Sequence, residues 1–289
     1  MRAFENIDIG SGLTSSNCYG NGSLKKGGAA PFADQIISEG KRLMKVIRMK
    51  TDKPASVVDY YNQTVSVYDK MHGNDVEPTH THALELAWPM LAPVDISSVL
   101  DVGCGTGLAL EWFSRKDAKI ALRGVDPAEG MLTVARERVP TAEFSLAEGE
   151  SLPFGDACFD LVVATGILHH VPAPSKVILE LFRVAKKAVL ISDHNDLAMG
   201  PNWNRRLRLG LYAVGLLRYY YLIKQRGRRA RYSDEDGWFY PFSILDHWDT
   251  LSSRSERIII LPTQRRGAVR AETFMLSQSH LATLCFKST

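Results

Sequence analysis

The chain has 289 residues, 45% hydrophobic and 23% charged, enough apolar material for a full core and too much for a disordered or collagen-like chain. Thirty-five basic against thirty-two acidic residues leave a formal charge of +3, too mild to mark a nucleic-acid binder. No run of about 18 apolar residues occurs, and the first 30 residues hold no apolar segment of secretory length, so neither a membrane span nor a leader is expected.

In chain order, residues 1–50 read as a flexible tail, rich in Gly, Ser and Asn over 10–32, with Met44 and Met49 as alternative starts. From Ala55 the pattern turns helical: Val57, Tyr60, Tyr61, Val65 and Tyr68 recur at three- and four-residue steps and give one apolar-aromatic face. His80 and His82 form a candidate metal pair, but no third ligand lies nearby, so a solvated loop is expected there and no metal site. A second helix is expected over Leu84–Leu91, with Pro93 marking its end.

Strands and helices then alternate. Strands are expected at 99–102, 120–125, 143–146, 159–164 and 188–192, with helices at 108–113, 128–138 and 175–184 between them. Two further strands at 257–261 and 281–286 close the set. This rhythm predicts an α/β fold with a doubly wound, mostly parallel, seven-stranded sheet covered on both faces. Residues 193–256 separate two of its strands, far more than a crossover needs, and are expected to form a helical cap over the carboxyl ends of the strands. The four cysteines (Cys18, Cys104, Cys158, Cys285) include no C-x-x-C pair, so a reducing, cytoplasmic setting is expected.

The first strand of the alternating region runs into Asp101-Val102-Gly103-Cys104-Gly105-Thr106-Gly107. Alternating glycines let a ligand approach the backbone closely. The dinucleotide spacing G-x-G-x-x-G would need glycine at Leu108, and Asp101 is a poor neighbour for a pyrophosphate but a good one for an ammonium group. Asp126, 19 residues beyond Gly107, stands where a carboxylate accepts hydrogen bonds from both ribose hydroxyls. After the third strand, Glu148 suits an exocyclic adenine amine and the Gly149 amide a ring nitrogen.

Through Val99–Gly107, Gly124–Met131, Glu148–Phe154 and Phe159–Val171 the chain resembles the class I S-adenosylmethionine-dependent methyltransferases, within the type 11-like small-molecule group that includes ubiquinone/menaquinone-type enzymes. The resemblance covers about residues 95–195 and implies a Rossmann-like methyltransferase domain over 51–289, its core at about 95–195 and 257–289, with a helical N-terminal extension and the cap inserted. It implies that S-adenosylmethionine is the cofactor. Asp101 and the loop Gly103, Cys104, Gly105, Thr106 and Gly107 would hold its methionine end, Asp126 its ribose, and Pro127 and Met131 would flank the adenine. Glu148 and Gly149 would read the adenine edge, and the main chain at Thr165 and Gly166 would face the amino group. Many relatives carry Asp where this chain has Glu148.

Methyl transfer from a sulfonium is an in-line displacement that needs a base only for an acceptor such as a hydroxyl or ammonium. His169, His170 and His194, at strand ends, are the candidates, with Tyr61 and Tyr68 on the leading helix placed either to close over the cofactor or to pack in the core. The cap has no acidic residue between Asp196 and Asp234 but nine basic ones (Arg205, Arg206, Arg208, Arg218, Lys224, Arg226, Arg228, Arg229 and Arg231) around an apolar-aromatic stretch, Leu209–Ile223, read as one amphipathic helix. Three readings fit: a lid gripping an anionic acceptor, a peripheral membrane contact through 205–231, or a solvated basic helix. Tyr232-Ser233, Gly237 and Tyr240–Ser243 bear a weaker likeness to methyltransferases of surface-saccharide and natural-product pathways. The expected function is O-methylation of a small or medium acceptor; the alternatives are a lipid-linked acceptor and a cofactor-binding protein without chemistry. A nucleic-acid base methylase is disfavoured, because Thr165-Gly166-Ile167-Leu168 stands where a polar-Pro-Pro-aromatic tetrad belongs. Oligomeric state is left open.

Overall fold

The computed structural model describes residues 54–72, 79–224, 230–234, 236–263 and 278–288; the expected tail at 1–50 and Arg226, Arg228 and Arg229 of the cap lie outside them. Five parallel strands form the sheet centre: β1 (Ser98–Val102), β2 (Ala121–Asp126), β3 (Glu143–Leu146), β4 (Phe159–Thr165) and β5 (Ala185–His194). With β8 (Ser255–Pro262) and β9 (His280–Lys287), both in antiparallel pairings, the order is β3-β2-β1-β4-β5-β9-β8. β4 is buried from Phe159 to Ala164, the pattern of a strand covered on both faces rather than one.

One face is covered by α2 (Thr79–Leu91), α3 (Leu108–Lys116) and α4 (Glu129–Arg138), through Leu84, Leu91, Leu110, Phe113 and Leu132. The other is covered by α5 (Pro174–Val184) and α8 (Trp248–Arg254), through Ile178, Leu181, Phe182 and Leu251. α2 begins earlier than the sequence suggests, so His80 and His82 sit on a helix rather than in a loop, and Pro93 falls in the 3-10 turn Ala92–Val94 that follows it.

α1 (Val57–His72) lies across the carboxyl ends of the strands. Ser56 caps it, its Oγ accepting from the Asp59 amide at 3.1 Å. One side of α1 is tied to α4, where the Gly130 amide donates to Asn62 Oδ1 (2.9 Å) and Arg138 pairs with Asp69. The other side meets the cap, where Tyr60 Oη donates to the Asp234 carbonyl (3.1 Å) and Trp238 Nε1 to the Pro54 carbonyl (2.8 Å).

The cap is not wholly helical. It contains α6 (Asn202–Ala213), α7 (Leu217–Lys224) and a hairpin of β6 (Arg231–Ser233) and β7 (Gly237–Phe239). The single helix expected over 209–223 is broken at Val214–Leu216, and past this turn α7 stays against α6, with Tyr220 Oη donating to Asn204 Oδ1. The cap's ends are stapled by an antiparallel bridge between Asn195 and Ser243.

Candidate functional site

β1 delivers Asp101 and the glycine loop to the sheet's carboxyl edge. The Gly103 and Cys104 amides both donate to the Val125 carbonyl, at 2.8 and 3.0 Å, which bends the loop back over β2. Gly103 has φ +69° and a Cβ there would collide with Ile167, so no other residue fits. Asp126, at the end of β2, accepts from the Gly105 amide through Oδ2 (2.9 Å) and the Ala128 amide through Oδ1 (2.8 Å). Burial raises its pKa against the pull of those two amides. Asp101 is 1% exposed and its Oδ1 has no hydrogen-bond partner. Burial, reinforced by the nearby Asp126 charge, pushes its pKa up to about 8. A buried carboxylate left this way is poised for a cation.

Below the loop lies a cavity of about 610 Å³. Asp126, Pro127, Met131, Glu148 and Gly149 line one end, and Gly103, Gly105, Thr165, Gly166 and His170 the other. Among the described residues no lysine or arginine lines it, while Asp126, Glu148 and Glu150 do. Such a lining repels a pyrophosphate and attracts a ligand with positive charge.

Tyr61, Tyr68, Gly103, Gly105, Thr165, Gly166 and His170 also border a smaller pocket of about 100 Å³, shared with Asp101, His80, His169, His194 and Asp236. His169 Nδ1 donates to Asp193 Oδ1 at 2.6 Å, and its Nε2 lies 3.6 Å from Asp236 Oδ2. Burial alone would lower its pKa, but Asp193 and then Asp236 outweigh that and hold it at about 10, so His169 is an imidazolium between two carboxylates. Asp193 also accepts from the Leu168 and His194 amides, at 2.7 and 2.6 Å. Despite burial, the His169 charge keeps its pKa well below the usual carboxylate range. His194 stacks on His169 with ring centroids 3.9 Å apart; burial and that positive neighbour drop its pKa to about 3.

His170 is different. Its Nδ1 faces the Trp238 carbonyl at 2.8 Å and therefore carries the proton, leaving Nε2 to accept from Tyr61 Oη at 2.7 Å. Burial and the His169 charge lower its pKa, so it is neutral. His169, His170 and Asp236 place one donor atom each within 4.8 Å of one another, as do His169, Asp193 and His194. That is close enough to share a cation, a place the His169 proton takes here.

Residues 100–191 match the family described as "Methyltransferase domain". That matched region, about a third of the chain, is the part that is similar to methyltransferases. The chain is similar to a phosphatidylethanolamine N-methyltransferase of Cereibacter sphaeroides, 38% identical over 111 residues, covering 36% of this chain and 53% of that protein. It is also similar to a ubiquinone/menaquinone biosynthesis C-methyltransferase of Campylobacter jejuni, 28% identical over 145 residues, covering 47% of this chain and 61% of that protein. The chain thus spans about half to three-fifths of the length of these curated relatives. An S-adenosylmethionine-dependent methyltransferase structure from Thermotoga maritima shares the fold, with TM-score 0.51 and 18% identity over 79% of this chain and 99% of that one.

S-adenosylmethionine is the cofactor of such a domain, and the residues of this site fit it. The unpartnered Asp101 Oδ1 suits its ammonium, the Gly103–Gly105 backbone its methionine chain, and Asp126 its ribose. Gly107 borders neither cavity; a Cβ there would lie 3.2 Å from Ala135, so it serves the packing of α4. The Thr106 hydroxyl donates to Asp69 Oδ1 at 2.7 Å and accepts from Arg138, which ties the loop to α1, and the residue also borders the smaller pocket. The Cys104 side chain lies beside Gly124, and the residue also borders the smaller pocket. Asp236 was not among the sequence candidates, and His80 was read there only as half of a metal pair with His82. Asp193 and His194 stood together as a candidate at the end of β5, but their partners reach them only through the fold. Arg208 turns inward onto Asp196 and the Met199 carbonyl, and among the described residues no cap arginine borders either cavity.

Proposed function

We propose that this protein transfers the methyl group of S-adenosylmethionine to an oxygen of a small or medium acceptor bound in the histidine pocket. The observation that carries the reading is the junction of the two cavities. An acidic chamber free of described lysine and arginine opens, past Gly103, Thr165 and Gly166, onto a pocket where Tyr61 and a neutral His170 are hydrogen-bonded. The bound cofactor supplies an electrophilic methyl on a sulfonium, displaced in line.

The residues of this chain do the rest. Asp101 and Asp126 anchor the two ends of the donor. The walls of the pocket hold the acceptor hydroxyl against it, and such positioning accounts for much of the barrier lowering in displacements of this kind. The acceptor proton passes to Tyr61 Oη as the Tyr61 proton passes to His170 Nε2, so the phenolate, disfavoured by burial, never accumulates. His169 is already protonated and His194 is a weak base, which favours His170 among the three candidate histidines. Asp193 and Asp236 hold the His169 charge, and burial first, then that charge, keeps His170 neutral against the pull of Asp236.

The relatives are named for transfers to nitrogen and carbon, so the choice of oxygen rests on this proton-accepting pair. Incubation with methyl-labelled cofactor and hydroxyl-bearing acceptors, followed by mass spectrometry, tests it. A labelled methyl ether supports the proposal; label found only on nitrogen or carbon, or on no acceptor, overturns it.

A further inference from the structure

We propose that the outer face of α6 and α7 seats the protein on an anionic lipid bilayer. α6 is amphipathic the wrong way round for a solvated helix. Its inward side carries the buried Asn204 and Arg208, with Asn204 Oδ1 accepting from Tyr220 Oη at 2.9 Å and Arg208 paired to Asp196. Its outward side carries Trp203 and Leu207, one turn apart, and the stripe continues at Val214 just past its end. Leu216, Tyr219, Leu222 and Ile223 extend this exposed apolar surface along α7, no residue of which is buried. Trp203 is 69% and Ile223 79% exposed. Single exposed apolar residues are ordinary, but seven large ones within 203–223 form a patch that calls for a partner.

The charge decides which partner. Arg206, Arg218 and Lys224 are exposed in the same segment, and the sequence holds nine basic and no acidic residues between Asp196 and Asp234. Apolar side chains among exposed cations match anionic headgroups over acyl chains. A second copy of the chain would bring two such cationic faces together.

A groove of about 360 Å³ runs inward from this face. Tyr219 and Leu222 border its outer part, and Val171, Pro172 and Tyr240 border both it and the cofactor cavity. An amphiphile leaving the bilayer would therefore meet an apolar track to the site, its polar head reaching the histidine pocket. This identification of the acceptor class rests on the methyl-transfer reading; the docking itself does not.

Flotation of the full chain with vesicles tests the docking without cofactor or turnover. Binding to phosphatidylcholine vesicles containing phosphatidylglycerol, weak binding to phosphatidylcholine alone, and release by salt are expected. The double variant Trp203→Ser, Ile223→Ser should lose at least about tenfold in partitioning, while its calorimetric affinity for S-adenosylhomocysteine stays that of the unmodified chain, showing an intact fold. No binding to the anionic vesicles at low salt would overturn the proposal. So would unchanged binding of the double variant, or a stripe-dependent oligomer in light scattering without vesicles. If vesicles bind but no amphiphilic alcohol is methylated, the docking stands and the reading of the acceptor falls.

Discussion

Asp101 gives the sharpest test of the cofactor cradle. Its pKa of about 8 means that at pH 7 only about one carboxyl in ten is ionised, while the ammonium of S-adenosylmethionine calls for the ionised form. Binding must then expel close to one proton below pH 7, and affinity should improve nearly tenfold between about pH 6 and 7 and level off as pH passes about 8. Asp101→Asn keeps the shape and removes the titration. Its affinity should lack this dependence, and above pH 8 it should be weaker than the unmodified chain by about 1.5–3 kcal/mol, the worth of a charged hydrogen bond. Calorimetry in two buffers of different ionisation enthalpy reads both the dissociation constant and the proton count, and the variant reports any titration of the ligand itself. A second consequence concerns the ligand-free protein. An acid whose pKa is raised on folding contributes stability that is complete below about 4 and lost as pH rises through about 8. Asp101→Asn should therefore melt higher than the unmodified chain at pH 8. Equal pH slopes for the two proteins, or no proton release by either, would refute the reasoning.

Two further outcomes follow from the histidine pocket. Tyr61→Phe should lower kcat about a hundredfold with cofactor affinity unchanged, whereas His194→Ala should cost less than tenfold, as single-turnover kinetics with labelled cofactor would show; the reverse ranking would move the base to His194. His169 has a pKa raised on folding, so its contribution is complete below about 6.5 and lost as pH approaches 10. The melting temperature should fall over that window, and His169→Gln should flatten the fall in a thermal scan.

What the sequence disclosed is what lies close together along it. The glycine loop, Asp126, Met131 and Glu148 sit within one β-α-β-α-β run, where each strand end fixes the next motif's position. Seven strands were likewise legible, because β4 and β5 are buried on both faces and read as unbroken apolar runs. The proposed proton-handling group was only half visible. His170 meets Tyr61 across 109 positions and the Trp238 carbonyl across 68, and His80 Nδ1 lies 3.1 Å from Ser192 Oγ, 112 positions away. No periodicity encodes such distances. Thr106 and Gly107 show that such a loop also has to pack, because these two positions meet Asp69, Arg138 and Ala135. In the cap, composition showed an amphipathic segment, but not that its polar residues Asn204 and Arg208 face inward.

The most direct test of the central claim is a crystal structure with S-adenosylhomocysteine. The account places the ligand's amino group on Asp101, its ribose hydroxyls on Asp126, its adenine between Pro127 and Met131, and its sulfur facing the pocket of Tyr61 and His170. An empty cradle, or a ligand lying with its ribose away from Asp126 and its amino group away from Asp101, would contradict it.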